Sequence, residues 1–268
     1  MKDNQYDNLI REDKDGVAVL SLNDPRSINA LSEAMLSTLT DALRAIGEDR
    51  SVKAVVLRSS GDHFCAGHNL KEMSARRADA DGGFQYFQDL FATCSTMMQT
   101  IVTLPQPVIA EVKGIATAAG CQLVATCDLA VASEDARFAT SGVNIGLFCS
   151  TPMVALSRNI ARKHAMEMLL LGEFLPAARV AEMGLVNRVV PLDQLEAASL
   201  EMAQIIARKS PVPVKMGKEA FYKQAGMSLD EAYAFTGRVM AENMMARDTE
   251  AGIGAFMAKE KMPEWTGE

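Results

Sequence analysis

Two short runs of small residues carry the chemistry this sequence offers. One is Gly114-Ile115-Ala116-Thr117-Ala118-Ala119-Gly120-Cys121-Gln122-Leu123, and the other is His63-Phe64-Cys65-Ala66-Gly67-His68-Asn69-Leu70-Lys71-Glu72-Met73. Each reads as a turn from a strand into a helix. Small residues there let the backbone approach a ligand, and the first N–H groups of a helix lack intrahelical partners. Two such turns can hold one developing negative oxygen between two amide donors, which is an oxyanion hole. Taken alone, Ala118-Ala119-Gly120 is equally consistent with tight helix–strand packing and no chemistry.

Other reactive side chains are few. The five cysteines are Cys65, Cys94, Cys121, Cys127 and Cys149. Their number is odd, and only Cys121 and Cys127 approach metal-ligand spacing, with no histidine nearby; no metal site is expected. They read as reduced, packed thiols. Cys65 and Cys149 are expected to line the site, although nothing beside them would generate a thiolate. His63 and His164 read as structural or exposed, and Asp128 as structural.

The elements that must position the two turns alternate in type. Residues 17–22, 53–58, 108–112 and 129–132 read as strands, the second buried on both faces. Between the first two, Met35, Leu36, Leu39, Leu43 and Ile46 recur at helical spacing behind Ser32 as N-cap. A further helix is expected over 83–103. Strands alternating with helices imply an α/β fold with parallel pairing. The last third changes character: 192–209, 212–224, 228–246 and 249–259 all read as helices, punctuated by Pro211, Pro213 and Gly226. The expected organisation is a core over 1–200 and a helical region over 201–268, acting together as one functional domain. Met216, Phe221, Tyr233, Phe235 and Met240 exceed what one subunit can cover, which implies oligomerisation; a self-covering helical subdomain is the other reading.

Composition sets bounds. The 268 residues are 49% hydrophobic and 23% charged, as in an ordinary globular chain. A net charge of -7 without any basic run argues against a nucleic-acid partner. No apolar stretch approaches a membrane span. Residues 1–5 lack an apolar signal region and an arginine-rich leader, so a cytoplasmic location is expected.

The two turns, in this order, resemble the signature of the crotonase (enoyl-CoA hydratase/isomerase) superfamily. The resemblance begins at Leu22-Asn23-Asp24-Pro25-Arg26-Ser27-Ile28-Asn29-Ala30-Leu31 and passes through Cys127-Asp128-Leu129-Ala130-Val131-Ala132. It continues through Arg137-Phe138-Ala139-Thr140-Ser141-Gly142-Val143-Asn144-Ile145-Gly146-Leu147 and ends near Gly254-Ala255-Phe256-Met257-Ala258-Lys259. Phe148-Cys149-Ser150-Thr151-Pro152 and Phe221-Tyr222-Lys223-Gln224 look most like the family's hydratase-domain-containing protein 3 subgroup. The resemblance implies a crotonase (ClpP/crotonase-like) ββα spiral core, a C-terminal helical trimerisation region and a homotrimer or homohexamer. It also implies an acyl-CoA thioester substrate, with coenzyme A as part of the substrate and no separate cofactor. By the same resemblance the amides of His68 and Ala119 grip the thioester oxygen. Arg26, Ala30, Ala66, Asn69, Leu70 and Lys259 match coenzyme A-contacting positions, Lys259 reaching a neighbouring subunit's ligand. Each of these also has a plain reading as a surface charge or packing residue.

Where the family's hydratases carry two catalytic glutamates, this chain has Gln122 and Gly142. Hydration needs an activated water and a proton for the α-carbon, the work of two carboxylates. Gln122 can hold a water but cannot serve as a base, and Gly142 has no side chain. Ser141, Asn144, Cys149 and Ser150 are the replacement candidates, Ser150 matching a nucleophilic aspartate of related dehalogenases but without an activating histidine. His68 needs only its backbone in this scheme; its ring could instead bind a substrate carboxylate, as in decarboxylating relatives. Three readings follow: an acyl-CoA enzyme of hydratase/isomerase type with altered chemistry, a non-catalytic acyl-CoA-binding protein, or a decarboxylase or thioesterase relying on the oxyanion hole alone.

Overall fold

The structure, a computed structural model, describes residues 7–268; the reading of residues 1–5 falls outside them. The chain opens with the hairpin β1 (Leu9–Lys14) and β2 (Val17–Leu22), followed by α1 (Glu33–Glu48), β3 (Ala54–Ser59), α2 (Leu70–Ala75) and α3 (Phe84–Thr103). Next come β4 (Val108–Val112), β5 (Ile115–Thr117), α4 (Ala119–Thr126), β6 (Leu129–Ser133), β7 (Arg137–Ala139), α5 (Ser150–Asn159) and α6 (Arg162–Leu171). The remainder is β8 (Leu175–Pro176), α7 (Ala177–Glu182), β9 (Arg188–Val190), α8 (Leu195–Ala207), α9 (Pro211–Gln224), α10 (Leu229–Met244) and α11 (Arg247–Ala258).

Six strands form one sheet in the order β1-β2-β3-β4-β6-β9, parallel except for the opening hairpin. The expected strands are its centre. Short β5, β7 and β8 make a second sheet. Helix α1 begins as its sequence dictates: the Ser32 side chain accepts from the Met35 N–H, and Met35, Leu36, Leu39, Leu43 and Ile46 are all buried. They meet Leu90, Cys94, Met97 and Ile101 of α3 in the main core, with Leu20, Val55, Leu57 and Ala110 from one sheet face. Helix α8 covers the other face, setting Leu195, Met202, Ala203 and Ala207 on Val17, Val19, Val56, Ile109 and Val131. That is why β3 is apolar on both sides. Residue 200 lies within α8, a helix of the core packing.

Beyond α8 the chain is fastened at two places. Lys218 of α9 donates to Asp128 Oδ2 at 2.7 Å, to the Gln106 carbonyl at 3.0 Å and to the Ile101 carbonyl at 2.9 Å. Tyr222 donates to Asp128 Oδ1 at 2.9 Å, so Asp128 has the structural role its position suggested. Buried Asp248 of α11 accepts from Ser210 and from the Thr266 and Gly267 amides, and Trp265 donates to the Arg208 carbonyl. Helix α10, between them, buries no residue. Phe221, Tyr233 and Met240 are exposed, while Met216 and Phe235 are partly covered. Among the described residues no helix is long and apolar enough to cross a membrane.

Candidate active site

Three loops converge where the two turns meet. The segment 24–31 is folded by consecutive left-handed residues, Ile28 and Asn29, and Asn29 is buried. Its side chain donates to the carbonyls of Ser60 and His63, at 3.0 and 2.9 Å, and so clamps this loop to the one after β3. The Ala66 N–H donates to the Ile28 carbonyl and the Leu31 N–H to the Gly67 carbonyl. Cys65 pairs with β5: its N–H donates to the Ile115 carbonyl and its own carbonyl accepts from Thr117. The two turns are therefore zipped side by side.

Glycine makes that approach possible. Gly67 has φ +92°, and a Cβ there would lie 3.0 Å from the Ala118 Cβ and 3.1 Å from the Ala119 nitrogen. A Cβ at Gly120 would overlap the Cys65 carbonyl oxygen. Ala118 is the N-cap of α4, with φ 51° and ψ -119° and no capping side chain. A non-glycine residue in that region carries strain of about 1–3 kcal/mol. It precedes Ala119, the first residue of α4, an entirely buried helix. Among the described residues, neither the Ala119 N–H nor the His68 N–H has a hydrogen-bond partner. The helix dipole adds positive potential at Ala119.

A cavity of about 230 Å³ is lined by both His68 and Ala119. Its walls include Ala66, His68, Leu70, Ala119 and Gly142, so these expected site residues share one space. Met73, Phe91, Ile145, Leu147 and Phe148 give it an apolar wall that sequence reasoning did not foresee. Gln122, Arg26, Ala30, Asn69 and Lys259 are not on the wall. Gln122 is buried in α4 with Oε1 unpartnered. Asn69 caps α2, accepting from Lys71 and Glu72. Ala30 is buried, Arg26 is exposed on the 24–31 loop, and exposed Lys259 terminates α11.

Gly142 is a close-approach glycine. A Cβ there would overlap the Leu147 carbonyl oxygen and lie 2.9 Å from Cys149 Sγ. The chain doubles back over 142, where the Leu147 N–H donates to the Gly142 carbonyl. Of the replacement candidates, Ser141 bonds Thr117 Oγ1 at 2.9 Å, and Ser150 is exposed on the cavity wall. Asn144 turns away to the Gly172 carbonyl. Cys149 is on the wall as expected. Cys65 is not: it is fully buried behind the turn, and burial pushes its thiol up to about 12. All five cysteines are free and buried.

His68 is held by its ring. Nδ1 lies 3.3 Å from the Leu31 carbonyl oxygen, and Phe91 packs edge-on at 5.5 Å between centroids. Nε2 is buried without a partner. Burial lowers the imidazole pKa below its ordinary value, so the ring is neutral at pH 7.

Residues 12–268 match the profile of the enoyl-CoA hydratase/isomerase family. The chain is similar to enoyl-CoA hydratase domain-containing protein 3, mitochondrial, of Xenopus laevis, at 44% identity over 96% of this chain and 85% of that protein. Among solved structures, enoyl-CoA hydratase of Mycobacterium smegmatis is similar at 51% identity and a TM-score of 0.91, over 96% of this chain and 98% of that one. The human enoyl-CoA hydratase domain-containing protein 3 also superposes with a TM-score of 0.91, at 42% identity over 96% and 99% of the two chains.

Proposed function

The chain belongs to the enoyl-CoA hydratase/isomerase family, with the crotonase fold and a likeness to the domain-containing protein 3 subgroup, and on that premise we propose that it acts on acyl-CoA thioesters by gripping the thioester oxygen between the His68 and Ala119 amides. The observation that carries the proposal is the pair of unpartnered N–H groups on adjoining turns. Pure binding does not require two amides on one oxygen. Charge moving onto that oxygen does, and each donor contributes roughly 3–4 kcal/mol to a transition state.

Efficient hydration is not part of the proposal. Gln122 is a neutral amide, and the space a side chain at 142 would occupy holds Leu147 and Cys149. The supported chemistry is formation of a thioester enolate without a water-activating carboxylate pair. The filled space at Gly142 equally suits a non-catalytic acyl-CoA binder, the second reading. A decarboxylase or thioesterase would use the same two amides.

Coenzyme A is proposed to enter as part of the substrate, with no resident cofactor. Ala66 and Leu70 would meet its pantetheine end, and Arg26, Ala30 and Asn69 would lie along the rest. Lys259 would serve a neighbour in a homotrimer or homohexamer, which the exposed Phe221, Tyr233 and Met240 support. A cytoplasmic location belongs to the same proposal; the Xenopus relative is itself named mitochondrial.

The test is a panel of acyl-CoA thioesters, crotonyl-CoA and malonyl-type esters included, followed by mass shift and calorimetry. Binding is expected throughout, with slow or absent hydration of crotonyl-CoA. Failure of every ester to bind would overturn the proposal.

A further inference from the structure

Two consecutive residues of the 24–31 loop sit in the left-handed region, Ile28 at φ 57° and Asn29 at φ 50°. For isoleucine, which is β-branched, that conformation is a genuine outlier. Packing of its side chain does not account for it, because Ile28 is exposed. Its backbone is what the fold uses. The Ile28 carbonyl accepts from the Ala66 N–H at 3.0 Å, and three residues on the Leu31 N–H donates to the Gly67 carbonyl at 2.8 Å. Leu31 also pairs with His68 in an isolated parallel bridge. The turn that carries the His68 amide is thus hung from residues 28 and 31. Strained backbone persists where its surroundings over-determine it, and it clusters at functional sites.

Asn29 lies between those attachment points and supplies the over-determination. It is 1% exposed, and both ends of its amide are used. Oδ1 accepts from the Asp24 N–H at 2.9 Å, closing the loop on itself, while Nδ2 donates to the Ser60 and His63 carbonyls. Residues 60–63 lead into the same turn that residues 28 and 31 hold at its far end. One side chain therefore fixes both the shape of the 24–31 loop and its station against the His68 turn.

We infer that Asn29 is the positioning residue of the oxyanion grip, setting where the His68 amide lies relative to the Ala119 amide. The inference rests on the thioester reading above. Asn29 is not among the described residues that line the cavity, so it acts through the turn and not on a ligand. Two donors polarise one oxygen only if both reach it, at about 2.7–3.1 Å, and a misplacement of about 1 Å can cost about 100-fold in rate. The Ala119 turn has its own support, since the Ala118 N–H donates to the Ala139 carbonyl of β7. Loss of the Asn29 side chain is therefore expected to displace one donor of the pair and leave the other.

The test is infrared spectroscopy of butyryl-CoA carrying carbon-13 at the thioester carbonyl, with calorimetry for binding and circular dichroism for the fold. On the wild-type protein the bound carbonyl band is expected to move to lower frequency, because two donors weaken the C=O bond. Asn29→Gly removes the side-chain bonds but suits a left-handed backbone. It is expected to bind butyryl-CoA within a few-fold of wild type and to lose most of the band shift. Asn29→Asp keeps the acceptor for the Asp24 N–H and loses both donated bonds. It is expected to lose the shift as well, so the outcome does not depend on one variant folding. A merely structural role would lower the melting temperature and leave the band of the folded, ligand-bound variant at its wild-type position. That result in either variant would overturn the inference and leave the thioester reading intact. Binding to the wild type without any shift, or no binding at all, would overturn the oxyanion grip and the inference together.

Discussion

Two polar clusters sit in this fold and are completed in opposite ways. Around Asp128 the charges are fully paired: the three protons of Lys218 reach three acceptors, and the carboxylate takes Lys218, Tyr222 and the Val108 amide. Around Ala119 capacity is left over: two amides, Nε2 of His68 and Oε1 of Gln122 have no partner. Buried polar groups are ordinarily paired because leaving them unpaired costs about 1–3 kcal/mol each. The fold meets that demand around the Asp128 carboxylate, whereas the residues with the two free amides line the cavity. One cluster holds the molecule together and the other is held ready.

Breaking the completed cluster should have the largest effect. Lys218→Met leaves the mostly covered Asp128 carboxylate without its cation and is expected to cost up to about 3–5 kcal/mol in urea unfolding. Adding Asp128→Asn should recover part of that loss, and full additivity of the two changes would refute the pairing.

The open cluster should respond in activity, not stability. Ala119→Pro removes one donor at the first position of α4, where proline is tolerated. Any turnover of a thioester is expected to fall about 100-fold or more, the equivalent of about 3 kcal/mol. Circular dichroism checks the fold; a folded variant with unchanged turnover would remove Ala119 from the site.

Filling Gly142 sharpens the comparison. Gly142→Glu, which looks from the sequence like restoration of a missing acid, is expected to yield no hydratase. It should instead lower the melting temperature, by an overpacking cost of about 1–3 kcal/mol, because Leu147 and Cys149 occupy the space. A stable variant that hydrates crotonyl-CoA would show that the 146–149 segment yields.

A third polar group provides a pH handle. Burial alone would raise the Asp248 pKa, but hydrogen bonds from Ser210, Thr266 and Gly267 outweigh it and hold the carboxyl below the ordinary aspartate value. A depressed carboxyl contributes stability above its unfolded pKa and loses it as pH falls through the folded one. Trp265 fluorescence is therefore expected to stay native at neutral pH and change only below the ordinary aspartate range. A change near pH 6 would point to another group.

The smallest effect is at Ala118. Changing it to glycine relieves φ 51° but adds unfolded-chain freedom, for a net gain of up to about 1 kcal/mol by thermal melt. Clear destabilisation would mean that its methyl contact with the Gly67 turn outweighs the strain.

What was legible in the sequence follows the range of the interactions. Helix α1 was readable because its cap and apolar stripe are local, and β3 because burial on both faces leaves an unbroken apolar run. Strand β1 was not: Leu9–Lys14 has two apolar residues followed by four polar ones and lies at the sheet edge, exposed beyond its first turnings. Strands β5 and β7 are three residues each, too short for any period to show. At the site, the turns announced themselves through small residues. Asn29 as a clamp, the crowding at Gly142 and the withdrawal of Asn144 toward Gly172 did not, because each depends on which distant segment folds over it.

The fastening of the C-terminal helices has a consequence for how the molecule opens. Helices α9 and α11 are pinned through Lys218 and Asp248, whereas α10 between them buries nothing. In the isolated chain α10 is therefore the segment whose amides should exchange with solvent first, as a local unfolding event bounded on both sides. None of the described residues that line the cavity belongs to α9, α10 or α11, so α10 can melt and re-form without disturbing the paired turns.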